Sequence, residues 1–263
     1  PIQKRYAQYE RAHAAAEREN ETPAQVETPV RRDDLTVYLL LPAANGSMLT
    51  QLLSTLENYQ SHAALLLTPE LLESAGDGVR RAAATGNAVA LRMKNARGEL
   101  LYDSALQEAI DVNAVKGSSG ANAVIAALTG SEVYTIARIN ATHDSLYSFA
   151  HMADAGVLQL NYAGYIWYDP DSTFYLAPEK SAARQYIVSV ARECAELGFD
   201  ELLFDEFGYP TRGRLNNIDE SARTLSKSAA LAQLTEELRS GTEAYGVRLS
   251  VQLDAATVLA GGN

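Results

Sequence analysis

The residues 196–213, "ELGFDELLFDEFGYPTRG", set an apolar run between two acidic pairs, Asp200 and Glu201 before it and Asp205 and Glu206 after it. Paired carboxylates at a groove are what glycosidic bond hydrolysis needs, with one protonated to donate to the leaving oxygen and one ionised as nucleophile or water base. Neighbours on a strand point to opposite faces, so only one of Asp205 and Glu206 can look directly into a cavity at the strand end. A second apolar run, "LSVQLD", closes on Asp254 in a similar way, which makes Asp205, Asp254 and Glu206 the candidate catalytic acids. The plainer alternative is that such acids cap the next helix or solvate a turn.

Other residues are suited to bind a substrate. Arg138, in "YTIARIN", follows an apolar run where a buried guanidinium wants a carboxylate partner; it could orient Asp205, or form an ion pair that only holds the barrel together. The segment "NYAGYIWYDPDSTFYL" gathers aromatics around the only tryptophan, Trp167, and exposed rings stack on the apolar faces of sugars. Trp167 and Tyr168 are therefore candidate sugar contacts, with a packed lid or minor core as the alternative. His143 and Asp144 could cap the following helix or reach the site. The four histidines, His13, His62, His143 and His151, show no metal-ligand spacing, and no metal or cofactor is expected.

Elements that could present these groups are legible from residue 35 onward, where apolar β-rich runs alternate with amphipathic helical stretches, the pattern of parallel βαβ units: "MLTQLLSTLENYQ", "LLESAGDGVRRAAATG", "AARQYIVSVARECAELG" and "SAALAQLTEELRSGTEAYG" carry apolar residues at helical spacing, and several end in Gly. Six strands are expected: "LTVYLLLP", "HAALLLTP", "NAVALRM", "EVYTIARIN", "DELLFDEF" and "VRLSVQLDA". Their continuous apolar character calls for burial on both faces. The fold class is α/β, a TIM-type (β/α) barrel that is incomplete or has fewer than eight strands, with "LQLNYAGYIWY" as a candidate seventh. Ligands of such folds bind beyond the carboxyl ends of the strands, which selects Pro42 to Asn45, Thr68, Arg92 to Asn95, Arg138 to Asp144, Asp205 to Tyr209 and Asp254. Residues 1–34, Ala- and Glu-rich and then Pro-interrupted, form an expected helical arm and linker ahead of a barrel domain over 35–263.

The 263 residues carry 22 Lys and Arg against 33 Asp and Glu, a formal net charge of -11, which argues against a nucleic-acid partner. No apolar run reaches the roughly 18 to 20 residues needed to cross a bilayer. The single cysteine, Cys194, excludes an intramolecular disulfide and reads as the buried side of a helix.

With these residues in view, the chain resembles a glycosyl hydrolase barrel family of bacterial surface proteins, first catalogued as a domain of unknown function. The likeness runs through "NAVALRMKNARGELLYDS", "VYTIARINATHDSL", "WYDPDS", "YIVSVARECAELGFDELLFDEFGYP" and "LSVQLDA". It implies a TIM-type barrel and sugar hydrolysis. It matches Asp205 and Asp254 to the strand-end aspartates, Arg138 to the strand arginine, Lys94 to the lysine after the earlier strand, and Asp169 and Pro170 to the "DP" after the tryptophan loop. Lys94, Asp169, His143 and Tyr209 join the expected substrate-binding set.

The chain departs from that pattern at three positions, with Arg92 where an acid is usual, Gly208 where an arginine is usual, and Glu206 where an aromatic is usual. Glu206 could replace the lost acid; alternatively the barrel no longer cuts and instead binds a glycan or a cell-envelope partner. An extracellular or envelope-attached setting is expected. A weaker likeness, to polysaccharide deacetylases across residues 52–92, lacks their metal-binding histidines, and "GFDELLFDEFGYP" resembles the chitinase signature strand only with a one-residue bulge.

Overall fold

The structure is a computed structural model that describes residues 88–118, 120–161, 164–221, 223 and 225–253, together with the backbone of two strands at 36–38 and 64–67. The expected arm and linker, Pro42 to Asn45, Thr68, the helical stretches between residues 48 and 86, and Asp254 lie outside the described residues.

All six expected runs form strands: β1 Thr36–Tyr38, β2 Ala64–Leu67, β3 Ala88–Lys94, β4 Tyr134–Asn140, β5 Glu201–Asp205 and β6 Arg248–Gln252. Every pairing is parallel, and the sheet order is β1-β6-β5-β4-β3-β2. From β2 to β6 each strand lies beside its predecessor in the chain, and β1 sits beside β6. A sheet wound always in one direction, which brings its first strand to its last, is the winding of a barrel rather than of a doubly wound sheet. The fold is an α/β barrel of the TIM type with an incomplete ring; among the described residues no pairing joins β1 to β2. Among the described residues the segment "LQLNYAGYIWY" adds no barrel strand; it makes only isolated antiparallel bridges, Leu158 with Ile166 and Gln159 with Ile218.

Six helices are described: α1 Gln107–Asp111, α2 Ala121–Thr129, α3 Ser145–Ala150, α4 Met152–Ala155, α5 Ser181–Glu196 and α6 Lys227–Thr242. Alternation along the strands divides the sheet into two faces. Val89, Leu91, Ala137, Ile139, Leu202 and Phe204 pack outward against the helices in one large core, and Ala90, Ile136 and Leu203 form a separate inner cluster. Helix α5 meets the outer core through Ala183, Tyr186, Ile187, Val190, Ala191 and Cys194, all at most 1% exposed and at helical spacing. Burying each of its larger apolar side chains contributes roughly 1.5–3 kcal/mol. Burial also pushes the Cys194 thiol up, which keeps it a protonated core residue. Gly198, at φ +87°, closes the helix in the left-handed conformation that a Cβ disfavours, and the chain turns straight into β5.

Candidate active site at the strand ends

Asp205 ends β5 two residues beyond Leu203, and so continues the inner face of the sheet. Arg92 stands two beyond Ala90 and Arg138 two beyond Ile136, and period-2 alternation delivers all three charged groups to the same interior. Arg138 Nε donates to Asp205 Oδ2 at 2.7 Å and its Nη2 donates to Gln252 Oε1 at 3.0 Å. Arg92 Nη1 lies 3.7 Å from the same Oδ2, an ion-pair contact outside hydrogen-bond range. Asp205 is 5% exposed, yet its Oδ1 has no hydrogen-bond partner among the described residues. Asn140 pairs with Asp205 in the ladder, is 3% exposed, and also has an unpartnered Oδ1. Two buried acceptors without donors are costly unless something supplies a hydrogen.

Glu206, the next residue, turns the chain out of the sheet with φ +49°. A side chain in the left-handed region costs about 1–2 kcal/mol, so the turn needs support. Thr142 provides it: its backbone N–H bonds Glu206 O at 3.3 Å, and its Oγ1 lies 2.6 Å from Glu206 O and 2.7 Å from Gly208 O. The loops after β4 and β5 are thereby joined, and the Glu206 side chain is left exposed.

Lys94 does not join Asp205. The β3–β4 register shifts between Arg92 and Lys94, with Arg92 opposite Arg138 but Lys94 opposite Ile139, and the bulge carries Lys94 off the face that Arg92 occupies. Lys94 is 1% exposed, donates to Asn140 O at 2.9 Å, and sits 2.9 Å from Asp144 Oδ2 in an ion pair that lacks hydrogen-bond geometry. Asp144 is itself fully buried and caps α3 by accepting from Tyr147 N at 2.8 Å. The expectation that Lys94 contacts substrate is corrected: it is an internal tie between the end of β3 and the start of α3. Gly98, at φ +92°, lies so close to Asp144 Oδ1 that a Cβ there would come within 2.1 Å.

The aromatic loop also differs from the expectation. Trp167 is 2% exposed, packs with Val157, Tyr175, Ala177 and Ile218, and donates its Nε1–H to Arg214 O at 3.0 Å. Its ring offers no face to a sugar, because the loop folds back over it as a small core of its own. Tyr168 next to it is 55% exposed and Tyr165 is 67% exposed.

Asp169 is a hub rather than a free ligand. Its Oδ1 accepts from Thr173 N, Thr173 Oγ1 and Asp171 N, and its Oδ2 accepts from Arg212 Nη2 and, at 3.3 Å, from the Tyr175 hydroxyl. Burial raises its pKa, but the Thr173 and Asp171 hydrogen bonds outweigh this and the net shift is downward. With both oxygens occupied and 1% exposure, Asp169 cannot meet a substrate directly. The expected binding role is replaced by one of shaping the loop.

His143 is linked to that hub. Its Nε2 lies 2.6 Å from Thr173 Oγ1, and its ring stacks on Tyr175 with centroids 4.2 Å apart. Because the only Thr173 hydroxyl hydrogen goes to Asp169, the imidazole Nε2 must carry the proton it shares with Thr173, which leaves Nδ1 as the acceptor in the neutral ring. Burial lowers the His143 pKa, aided by Lys94 and Arg212 and opposed by Glu206 and Asp169. Tyr209, beyond the Glu206 turn, donates its hydroxyl to Glu179 Oε2 at 2.7 Å with Arg223 and Lys227 over its ring. The sequence did not reveal Glu179 or Thr173, which act through contacts formed only once the loops fold together, and it placed Thr142 at a strand end without its bonds to the Glu206 turn.

Among the described residues no cluster of three or more His, Cys, Asp or Glu could hold a metal ion, and no helix is long and apolar enough to cross a membrane. A solved hypothetical protein from Ruminiclostridium thermocellum is 23% identical, with a TM-score of 0.62 over 71% of this chain and 96% of that one. Sucrose 6F-phosphate phosphorylase from Thermoanaerobacter thermosaccharolyticum is 12% identical, with a TM-score of 0.50 over 74% of this chain. The chain spans only 48% of the phosphorylase, and at these identities both likenesses speak to the fold alone. No curated protein sequence matches. Residues 70–260 match a family profile described as "Putative glycosyl hydrolase domain", and the chain belongs to that family.

Proposed function

We propose that the barrel acts on a glycan at the carboxyl ends of its strands, as a glycoside hydrolase centred on Asp205. The observation that carries this is the division of labour within one carboxylate: Oδ2 is held by Arg138, while Oδ1 is buried in the mouth with no hydrogen-bond partner among the described residues. A carboxylate fixed through one oxygen presents the other in a defined direction, which is what a nucleophile or water base requires. Asn140 Oδ1 adds a second unpartnered acceptor on the neighbouring strand, suited to a sugar hydroxyl.

In this scheme an acid protonates the glycosidic oxygen as the C1–O bond breaks. Asp205 Oδ1 then either bonds to C1, giving a covalent intermediate that water later opens, or takes a proton from water attacking the opposite face. Glu206, exposed beside Asp205 on a turn strained enough to suggest a use, is one acid. Asp254, which closes the sequence run of β6, is the alternative for the same role. Replacing Asp205 by Asn retains the shape of the side chain but removes its charge. Release of reducing ends from an active polysaccharide should then fall by at least about a thousandfold, the range lost with an essential catalytic group. Full activity of the variant would overturn the proposal.

A second reading is favoured by Arg92. Two guanidinium groups draw on the negative charge of one carboxylate and blunt it as a nucleophile. A barrel of this kind would bind a glycan saturably without releasing product, and long incubation with quantitative sugar analysis separates the two.

A further inference from the structure

Arg92 is the inner-face cation with work left to do. It reaches the mouth of the barrel with its side chain 29% exposed, and among the described residues its guanidinium makes no hydrogen bond. The contact with Asp205 at 3.7 Å is Coulombic only, and Arg138 already occupies that carboxylate oxygen at 2.7 Å. Arg138 by contrast spends Nε on Asp205 and Nη2 on Gln252. Among the described residues, the inner face at this level carries two guanidinium groups, Arg92 and Arg138, beside the one carboxylate of Asp205.

We infer that Arg92 reads an anionic group on the sugar, so that the glycan bound here is an acidic one, bearing a carboxylate or a sulfate. This rests on the glycan-binding reading of the mouth given above and deepens it by naming the substrate class. The chemistry follows from the parts. A guanidinium fork matches a two-oxygen anion bidentately, and it is more weakly hydrated than an ammonium, so half-burial costs it less. Its position is fixed by period-2 alternation from Ala90, which packs in the apolar inner cluster with Ile136 and Leu203 beneath it. A sugar ring that lies over this floor would meet acceptors at Asp205 Oδ1 and Asn140 Oδ1 for its hydroxyls, and a free donor fork at Arg92 for its anion. A neutral sugar would satisfy the acceptors and leave the fork unused. The charges of Arg92 and Asp205 also set one orientation: Asp205 repels an anion placed against it, so the acidic substituent is directed to the Arg92 side of the ring.

The test uses the full chain on a glycan array that carries oligogalacturonate, glucuronate-containing, sulfated and neutral oligosaccharides, followed by titration calorimetry on the strongest binder and on its neutral counterpart. For a uronate the counterpart is the methyl ester; for a sulfated glycan it is the desulfated chain. Acidic glycans should bind at least about tenfold more tightly than those counterparts, the change expected for one charge-assisted contact, and the gap should narrow as salt rises. Arg92→Gln should erase the gap, and Arg92→Lys should restore only part of it, since the charge returns without the fork. The uronate and sulfate arms identify which anion is recognised. Equal binding of acidic and neutral forms, or an unchanged gap in Arg92→Gln, would overturn the inference while leaving glycan binding intact. No binder of any class on the array would overturn both this inference and the reading beneath it.

Discussion

Asp205 Oδ2 accepts the Arg138 Nε hydrogen at 2.7 Å across adjacent parallel strands, between residues 67 positions apart in the chain. This single contact fixes the orientation of the one acidic side chain among the described residues that lies on the inner face at the carboxyl end of β5, and it leaves the other oxygen bare. Removing the arginine should therefore do more than remove a charge. Arg138→Gln is expected to lower turnover or glycan affinity by about one to two orders of magnitude, the range for mutating the group that orients a functional side chain. Tyr134, Ile136 and Ala137 still hold the strand, and a melting curve should show the fold retained.

Lys94 and Asp144 form a pair that is at most 1% exposed on either side. Lys94→Met leaves Asp144 buried without its counter-ion and should destabilise the domain by about 3–5 kcal/mol. The double variant Lys94→Met with Asp144→Asn removes the uncompensated charge while an amide oxygen still caps α3, and should recover part of the loss. Chemical denaturation of the three proteins measures both steps. A loss confined to glycan binding, with stability unchanged, would restore Lys94 to the site.

Trp167 and Tyr168 are neighbours with opposite fates. Trp167→Ala empties a packed position and should cost about 3–5 kcal/mol. Tyr168→Ala, on a side chain 55% exposed, should change stability by less than about 0.5 kcal/mol, so any effect it has on glycan affinity can be read directly.

His143 supplies a pH signature. Its pKa in the fold is lowered from 6.5, chiefly by burial, so below about that pH the unfolded chain takes up a proton that the folded imidazole refuses. Stability should fall as pH drops through 6.5 and level off below the folded value, because the unfolded state binds more protons in that window. His143→Gln, which can still donate to Thr173, should flatten this part of the profile. A wild-type curve that rises with acidification over the same range would contradict the burial-dominated shift.

Much of the fold was legible because parallel barrel strands are apolar on both faces and stand out as continuous runs: all six did so, and α5 and α6 followed from helical spacing and terminal glycines. Asp205 was legible for the same reason, since an acid that ends such a run has to emerge at the carboxyl edge. Lys94 was not, because a one-residue register shift after Arg92 reverses which side of the sheet it occupies, and nothing in "ALRMKN" announces a bulge. Trp167 was misjudged because composition alone cannot tell an exposed aromatic loop from one that folds over its own ring. The short helices α1 and α2 escaped notice: α1 has five residues, too few to show a helical period, and the Ala-rich α2 carries few large apolar residues. Asp169 and Thr173 became a hub only through the loop that brings them to Tyr175, Arg212 and His143.

The most direct test of the central claim is the crystal structure of the protein with a bound oligosaccharide identified by the array. A sugar ring is expected at the carboxyl ends of β3 to β6, with a hydroxyl or the anomeric carbon within about 3.5 Å of Asp205 Oδ1, the outer limit of hydrogen-bond or near-attack contact. A sugar seated instead on the exposed face of Tyr165 and Tyr168, with Asp205 Oδ1 untouched, would contradict that claim.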